Sequence, residues 1–510
     1  MRRRSTDRLW AMLAAAVVFA VPGLVAAQRT PDAAAGRLTL TVVIGDLGAG
    51  GAYEYERGVL LVPQNRDDPA AGFFELEFHR FPALPEADPD TPPIIHLNGG
   101  PGWPGLASEL QSPRWMEENV LPRVRLADFV VVGQRGIGSS GPNTVCQGAR
   151  APDIREPYDR EARARLAVEA ARRCRETWEA EGVDLRGITA IEAAHDVLDV
   201  TRTLGYERVQ IHGGSFGSHW GMAVLRFHPE IVERALLHGM EGPDHTYDMP
   251  GGILAALERA GRDAETSGRF DGRVPPGGFV AGFRAVIDRA AAEPIAVDVT
   301  RAAGRDTIRI ELDADAIRGL WGGFSPTGGG HRLRGWPADV VRLYEGDYAA
   351  AADAVLRDRA SSGSLPTAAF FMLDCGSGIS GLRLERLLSD PAVEVVGNLG
   401  AWYELLCPVW DADLGEAFRR NFDTDIPTVI VHGTWDTSTP IENALELRPH
   451  FKNHRFVRVE RGSHGALGEA MRASPELRAA LDAYIATGDM SGFPETVTLP
   501  AIDWLPPPDR

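Results

Sequence analysis

One segment, Val209–Gly217 with the sequence VQIHGGSFG, constrains the possible folds of this chain more than any other. Its first residues are typical of a buried strand, and the residues after it have the spacing of a helix. Small residues at Gly213 and Gly217 let a strand and a helix approach closely around a sharp turn, which leaves Ser215 exposed. The five-residue pattern alone matches many proteins by chance, but between a strand and a helix it predicts a nucleophilic serine.

Short apolar runs and helical patterns alternate on both sides of this turn. Ile94–Leu97, Phe129–Val132 and Ala235–Leu237 are apolar runs of the kind that forms strands buried on both faces of a parallel sheet. Thr189 and Glu192 form a capping box, which predicts the start of a helix between two of these runs. The alternation predicts an α/β fold with a mostly parallel central sheet.

The alternation stops between residues 241 and 424, where helical patterns dominate. It resumes with strands at Thr428–Val431 and Arg455–Val459, so a long stretch of chain lies between two strands of one sheet. This predicts an inserted, mainly helical cap, within which Ile295–Thr300 and Thr307–Leu312 are expected to form a hairpin. The predicted boundaries are a core at 37–240 and 425–490, the cap at 241–424 and a Pro-rich tail on the surface at 491–510.

Partners for Ser215 are predicted in the loops that follow the last two strands. Asp436 comes after Thr428–Val431, and His464 comes after Arg455–Val459. Ligand crevices in such sheets form where parallel strands end, and serine hydrolases of this type place the acid before the histidine in the chain. We expect His464 to take the proton of Ser215 and Asp436 to orient the imidazole. A turn residue and a solvated histidine are the alternatives.

Two backbone N–H groups are predicted to stabilise the negative charge that develops during acyl transfer. One belongs to Phe216, at the start of the helix that follows the turn. The other is expected at Gly100, in the loop Asn98–Gly102, because glycines let the backbone approach the reacting oxygen. A plain turn is the alternative. His212, which precedes the sharp turn, is predicted to be a packed and hydrogen-bonded core residue.

Residues 1–27 have the pattern of a cleaved signal peptide. A basic start at Arg2–Arg4 precedes an apolar run at Leu9–Val21, and Val25–Ala27 supplies the small residues that a signal peptidase needs before Gln28. The apolar run is short for a spanning helix, although a membrane anchor is the alternative. We expect export to the periplasm or the medium, with no stable membrane association after cleavage.

The four cysteines, Cys146, Cys174, Cys375 and Cys407, fit an exported chain. Four cysteines allow three pairings, of which proximity in the sequence favours Cys146–Cys174 with Cys375–Cys407; free buried thiols are the alternative. No CxxC or HExxH spacing occurs, so no metal site is predicted. The net charge of −18 argues against nucleic acid as a partner.

Four segments resemble the proline iminopeptidase and tripeptidyl aminopeptidase group of α/β-hydrolases, and they are Asn98–Gly102, Gly133–Ser140, Gly213–Ser218 and Asp436–Pro440. The secreted tripeptidyl-peptidase branch fits best, because Pro142–Cys146 and Cys407–Trp410 are similar to its cysteine-containing segments. The resemblance implies the α/β-hydrolase fold. This chain departs from the group at Gly133, where Asp is usual, and at Phe216, where Trp or Tyr is common.

The same resemblance implies release of residues or short peptides from a free N-terminus, through an acyl-serine intermediate and without a cofactor. Enzymes of this group hold the ammonium of the substrate with carboxylates, for which Glu241, Asp244 and Glu404 are the candidates here. The expected partner is a peptide or other small substrate. An esterase acting on small esters is the first alternative, and an inactive binding protein with a hydrolase fold is the second. Oligomeric state stays open.

Overall fold

The computed structural model describes residues 36–46, 51–110, 112–147, 160–300, 307–322, 332–361 and 365–507. The predicted signal peptide, residues 1–27, lies outside these ranges. The described strands are β1 Leu38–Asp46, β2 Ala52–Pro63, β3 Phe73–Phe81, β4 Ile94–Leu97, β5 Phe129–Val132, β6 Val209–Ser215, β7 Val232–Met240, β8 Ile295–Thr300, β9 Thr307–Leu312, β10 Thr428–Gly433, β11 His454–Glu460 and β12 Thr496–Thr498.

Helices connect and flank these strands. The described α-helices are α1 Gly105–Leu110, α2 Pro113–Trp115, α3 Leu121–Val124, α4 Arg160–Ala180, α5 Ala190–Thr203, α6 Phe216–Phe227, α7 Pro250–Glu265, α8 Phe279–Ala292, α9 Ala314–Arg318, α10 Trp336–Glu345, α11 Ala349–Ser361, α12 Ala368–Ser377, α13 Gly381–Ser389, α14 Val393–Val396, α15 Ala401–Trp410, α16 Glu416–Arg419, α17 Ile441–Leu447, α18 Ala466–Ala473 and α19 Pro475–Thr487. A π-helical turn, Met116–Val120, joins α2 to α3. None of the described helices is long and apolar enough to cross a membrane.

Ten of the described strands form one sheet in the order β1-β2-β3-β5-β4-β6-β7-β10-β11-β12. In this sheet the pairs β1–β2, β2–β3 and β3–β5 are antiparallel. The remaining pairs, from β5–β4 to β11–β12 in the order above, are parallel. The predicted α/β fold with a mostly parallel sheet is confirmed. Strands β7 and β10 are neighbours, and the chain between them forms helices α7 to α16 and the separate hairpin β8–β9.

The sheet is covered on both faces because its strands alternate side chains between two apolar layers. Ile95 and Ile211 face the layer that contains α5 and α6, whereas Ile94 and Phe129 face the layer that contains α18 and α19. Each of these four side chains is fully buried. Burial on both faces explains why the central strands are continuous apolar runs in the sequence.

The predicted surface tail, residues 491–510, also contributes to the sheet and to the core among its described residues. Strand β12 pairs in parallel with β11 and becomes the edge of the sheet. Further along, the Trp504 ring is buried with its centroid 5.7 Å from that of Trp435. The apolar residues Val497 and Trp504 are interspersed among the prolines of this tail, and their burial binds it to the core.

Both predicted disulfides are confirmed. Cys146 bonds to Cys174 of α4, and Cys375 of α12 bonds to Cys407 of α15. The second disulfide lies wholly within the part of the chain between β7 and β10. On the chain-entropy model each cross-link stabilises the fold by about 3–4 kcal/mol, because it lowers the conformational entropy of the unfolded chain.

Candidate active site

The turn at Ser215 is as sharp as the glycines around it predict. Ser215 ends β6, begins α6 and has φ 57° and ψ −134°, a strained conformation for a residue with a side chain. A Cβ atom at Gly213 would overlap the carbonyl of Gly217, and one at Gly217 would overlap the carbonyl of Leu97. Only glycine therefore allows β4, β6 and α6 to approach so closely, and this packing holds the serine in its strained position.

Ser218, in the first turn of α6, stabilises the sharp turn at Ser215. Its hydroxyl donates to the carbonyl of Ser215 at 2.7 Å and accepts the backbone N–H of Glu241 at 2.9 Å. Since Ser215 is paired in register with Met240, Glu241 is the first residue beyond the neighbouring strand. The hydroxyl of Ser218 thus links the two strand ends that border the site.

Asp436 and His464 meet in the loops after β10 and β11, as their positions in the sequence predict. His464 Nδ1 lies 2.9 Å from one carboxylate oxygen of Asp436 and 3.1 Å from the other. The Asp436 side chain is only 1% exposed, whereas that of His464 is 39% exposed, so the imidazole has an open side. The carboxylate also accepts the backbone N–H groups of Ser438 and Thr439 and the Thr439 hydroxyl, each at 2.9 Å.

These hydrogen bonds keep Asp436 ionised despite its burial. Burial alone raises the pKa of the carboxyl, but the charge and hydrogen bond of His464 and the N–H of Thr439 outweigh it, and the pKa is lowered. An ionised Asp436 fixes the proton of His464 on Nδ1 and leaves Nε2 able to accept another. This is the arrangement that a general base needs.

Glycines also allow the loop after β11, which carries His464, to pack closely against its neighbours. A Cβ at Gly433 would overlap the carbonyl oxygens of Gly462 and Ser463, so the loops after β10 and β11 pack backbone to backbone. At Gly239, which has φ +51°, a Cβ would lie 3.1 Å from the ring of His464. The end of β7, which pairs with the end of β6, therefore lies next to the imidazole.

The loop predicted to supply the second backbone donor lies against the serine. A Cβ at Gly99 would be 3.1 Å from Ser215 Cβ, and Gly100 has φ +124°, a conformation that favours glycine. The buried amide of Gln134 fixes this loop at two points. Its Nε2 donates to the carbonyl of Gly99 at 2.8 Å, and its Oε1 accepts the N–H of Gly102 at 3.0 Å. Gln134 was not predicted as a site residue, although it lies in a segment that carried the family resemblance.

The two departures from the family pattern have local explanations. A side chain at Gly133 would overlap the hydroxyl of Ser140 and approach the carbonyl of Glu77, so Ser140 occupies the space that a larger residue would need. The ring of Phe216 is buried against His219, with 5.5 Å between centroids. What Phe216 offers the site is its backbone N–H at the start of α6.

A group of carboxyls lies beside this constellation, and one of its members was predicted. Glu241 is buried, and burial together with the charges of Asp374 and Asp248 raises its pKa well above the usual range. Burial and the charges of Asp436 and Asp374 raise the pKa of Asp248 to about 8, against the opposing effect of His464. We call Glu241, Asp248 and Asp374 the carboxyl cluster.

Asp374 and its neighbours were missed by sequence reasoning. Burial raises the pKa of Asp374 to about 7, although the hydroxyl of Tyr403 donates to it at 2.7 Å. The ring of Tyr247 stacks on that of Tyr403, with 4.6 Å between centroids. A usable signal was present, because Asp374 and Tyr403 lie close to Cys375 and Cys407, which were predicted to bond.

The other two predicted amine ligands are placed differently. Asp244 accepts both the backbone N–H and the hydroxyl of Ser380 at 2.6 Å, so it binds the start of α13. Glu404 is exposed on α15 and accepts the amide of Asn398 at 3.3 Å. The structure brings neither into the hydrogen-bond network of Asp374, and their assignment as amine ligands stays a prediction.

Known proteins share sequence similarity with this chain. Residues 393–496, which include Asp436 and His464, match the family described as TAP-like protein. The tripeptidyl aminopeptidases of Streptomyces coelicolor and Streptomyces lividans are each 25% identical to this chain, over 78% of it and 74% of their own length. A solved serine hydrolase from Cycloclasticus zankles is 12% identical over 84% of this chain and 97% of its own, with a TM-score of 0.33. The chain therefore carries a TAP-like segment at residues 393–496 and is similar over most of its length to two tripeptidyl aminopeptidases.

Proposed function

We propose that this hydrolase is a serine peptidase that cleaves a peptide bond near a free N-terminus. The observation that carries the proposal is the burial of Glu241 directly beyond the strand end that pairs with Ser215, where the charges of Asp374 and Asp248 act on it. Three carboxyls that repel one another are costly to bury, and a neutral substrate offers nothing to balance them. The ammonium group of a peptide N-terminus carries the opposite charge and would offset that repulsion.

In the proposed reaction Ser215 attacks the carbonyl carbon of the scissile bond while His464 takes its proton. Asp436 holds the imidazole in the required tautomer and stabilises its charged form. His464 then gives the proton to the leaving amine, and a water molecule that His464 deprotonates hydrolyses the acyl ester on Ser215. The backbone N–H groups of Gly100 and Phe216 stabilise the negative oxygen at both steps. No cofactor takes part.

Recognition of the amine is assigned to the carboxyl cluster. In the free enzyme, a raised pKa keeps part of this cluster protonated near neutral pH. A bound ammonium favours the ionised carboxylates, so substrate binding releases protons from the cluster. The nearby cation Arg383 forms its ion pair with Glu446, at 3.1 Å, and not with the carboxyl cluster. The negative charge of the cluster is therefore available to bind the ammonium group of the substrate.

The proposal gives the two parts of the chain different tasks. Residues 37–240 and 425–490 supply Ser215, Asp436 and His464, whereas the cap, residues 241–424, supplies the carboxyls that recognise the N-terminus. The proposed place of action is the periplasm or the medium, after removal of residues 1–27, and the two disulfides support an oxidising compartment. The proposed partner is a peptide; nucleic acid is disfavoured by the charge of −18, and no stable attachment to a membrane is proposed.

Replacing Gln134 with methionine is expected to lower kcat by about 10- to 100-fold while KM changes little. Methionine keeps the length of the side chain but cannot bind Gly99 and Gly102, so the loop that carries the Gly100 N–H loses its fixed position. Loss of one such donor costs about 10²–10³ in kcat in other serine hydrolases, and a displaced donor should cost somewhat less. Steady-state kinetics on a peptide anilide measures the effect. An increase confined to KM would contradict this role.

The test of the proposed function compares three substrates: the p-nitroanilide of Ala-Ala-Phe, its N-acetyl derivative and p-nitrophenyl butyrate. The free amine is expected to raise kcat/KM by at least about 30-fold over the acetylated anilide, because a buried ion pair that loses one partner costs about 2–5 kcal/mol. Asp374→Asn and Glu241→Gln should abolish most of this preference. Glu258→Gln, an exposed carboxyl on α7, is the matched control and should preserve it.

The same kinetic comparison, measured as a function of pH, is a second test of amine recognition. The ratio of kcat/KM between free and acetylated anilide is expected to rise from pH 6 to about 7.5, because carboxyls with a raised pKa ionise in this range, and to fall above about pH 8, where the substrate amine loses its proton. Effects on His464 cancel in the ratio, since both substrates need it. Equal cleavage of both anilides at every pH would contradict amine recognition. Ester cleavage without any anilide cleavage would favour the esterase alternative.

A further inference from the structure

A cavity of about 370 Å³ lies on the opposite face of the sheet from α5 and α6. Its floor is formed by His96, His212 and His238, one from each of the adjacent strands β4, β6 and β7. Arg123 of α3 lines a wall, together with residues of α18. The volume is within the range of small-ligand sites, roughly 300–1,000 Å³. The proposed peptidase reaction makes no use of this space.

The register of the sheet places the histidines side by side. His96 is paired with His212, and His238 is paired with Gly214, two residues beyond His212 on the same face. His212 was predicted to be a hydrogen-bonded core residue. It is only 3% exposed, as expected, but that prediction was wrong about its hydrogen bonds, because neither ring nitrogen has a partner among the described residues. An imidazole buried in this way leaves hydrogen-bonding capacity unused that a ligand could satisfy.

The groups around His212 share the same sign of charge when protonated. Burial lowers its pKa well below the usual value, and the charges of Arg123, His96 and His238 lower it further. Burial also lowers the pKa of Arg123 to about 10, and Asp482 is the carboxylate that opposes this effect. Arg123 donates to the carbonyl of Asn119 at 2.7 Å, but its Nε has no partner among the described residues. The inner end of the cavity therefore offers donors that lack an acceptor.

The outer walls have a different character. Leu236, Leu467 and Met471 line the cavity with apolar surface, and Glu118 and Arg472 form an ion pair of 3.3 Å among its lining residues. The histidines do not form a metal site, since the described residues contain no group of three His, Cys, Asp or Glu side chains that could hold a metal ion. The cavity thus combines an inner end that holds the Arg123 cation and the neutral imidazole of His212 with apolar walls, which complements an amphipathic anion.

We propose that this cavity binds a monocarboxylate with an apolar body. The carboxylate accepts hydrogen bonds from His212 and the guanidinium of Arg123, and the apolar body packs against Leu467 and Met471. The bound molecule lies directly behind the catalytic groups, because Gly465 lines the cavity next to His464 and His238 packs against Gly214, next to Ser215. Binding here is separate from the proposed peptidase reaction and does not depend on it.

The test is calorimetric titration of the full chain with octanoate, octanamide and octanol. The peptide Ala-Ala-Phe is titrated as well, because its carboxylate is that of a peptide product and not that of a fatty acid. Octanoate is expected to bind at least about 30-fold more tightly than octanamide or octanol, because hydrogen bonds to an ionised acceptor are roughly twice as strong as neutral ones. If Ala-Ala-Phe binds more tightly than octanoate, the carboxylate is a peptide product and not a fatty acid. A preference for octanoate supports the site, and so does Ala-Ala-Phe binding that persists in protein labelled at Ser215; Ala-Ala-Phe binding that the label removes belongs to the active site.

The location of binding is tested with variants and with a blocked active site. His212→Leu and Arg123→Met should each remove the preference for octanoate over octanamide, whereas Arg208→Met, an exposed arginine outside the cavity, should keep it. Protein labelled at Ser215 with a fluorophosphonate, or Ser215→Ala if no label forms, should still bind octanoate. Equal binding of octanoate and octanol by the unmodified chain would overturn the proposal without any variant. Loss of binding on blocking Ser215 would also overturn it.

Discussion

Replacing Ser215 with alanine is expected to lower kcat by about 10⁵- to 10⁶-fold, because the attacking oxygen is removed while the donors and the histidine stay in place. The strained backbone at φ 57° is held by the packing of glycines, which alanine does not disturb. The same substitution is expected to abolish covalent labelling by a fluorophosphonate, which needs an activated serine. Anilide turnover and the intact mass of the labelled protein measure the two effects.

Two other serines serve as comparisons. Ser389→Ala, at the exposed end of α13, should leave both turnover and labelling unchanged. Ser218→Ala should keep the label but lower kcat by about 10-fold, because it releases the hydrogen bond that fixes the Ser215 carbonyl. Labelling that persists in Ser215→Ala would show that another residue is the nucleophile. A wild-type chain that neither labels nor turns over would favour the inactive binding protein.

Asp436→Asn is expected to lower kcat by about 10⁴-fold with little change in KM. The amide keeps the size of the carboxylate and one acceptor for the N–H groups of Ser438 and Thr439. Its NH₂ group donates to His464 Nδ1 and so moves the imidazole proton to Nε2, where it blocks acceptance of the serine proton. Steady-state kinetics and a thermal melt of the variant separate this effect from loss of folding.

The matched control for this change is Asp288→Asn, an exposed carboxyl on α8, which should retain full activity. A loss smaller than about 10-fold in Asp436→Asn would mean that another carboxyl orients the histidine. Asp248 would then be the next candidate, because its pKa responds to both Asp436 and His464.

The strands and the meeting of Asp436 with His464 could be predicted from the sequence because both depend on local patterns. Buried parallel strands are short apolar runs, and their carboxyl ends lie at one edge of the sheet whatever the rest of the chain does. Residues in the loops after β10 and β11 therefore meet, and the observed distance of 2.9 Å follows from that topology. The close approach at Gly213 and Gly217 is equally local.

The carboxyl cluster depends on contacts that no local pattern contains. Asp248 lies in the loop between β7 and α7, whereas Asp374 lies on α12, and single acidic residues in this part of the sequence look like ordinary solvated side chains. Glu241, Asp244 and Glu404 looked alike in the sequence, yet Glu241 is buried next to a strand end, whereas Asp244, three residues later, binds Ser380. Which acid points inward is decided by tertiary packing of α12 and α15. The role of Gln134 was missed for the same reason, since its partners are backbone groups of another loop.

The disulfide between Cys375 and Cys407 bears on when the proposed site becomes complete. Cys375 follows Asp374 directly, and Cys407 lies one helical turn after Tyr403, so the bond joins the two helices whose side chains make the 2.7 Å hydrogen bond. Ser215, Asp436 and His464 are held by the sheet and need no such bond. In a reducing cytoplasm the newly made chain would have Ser215 in place but would lack the disulfide that joins α12 to α15 next to the carboxyl cluster. If the chain is exported as proposed, oxidation after export would complete the carboxyl cluster on which the proposed recognition of a free N-terminus depends.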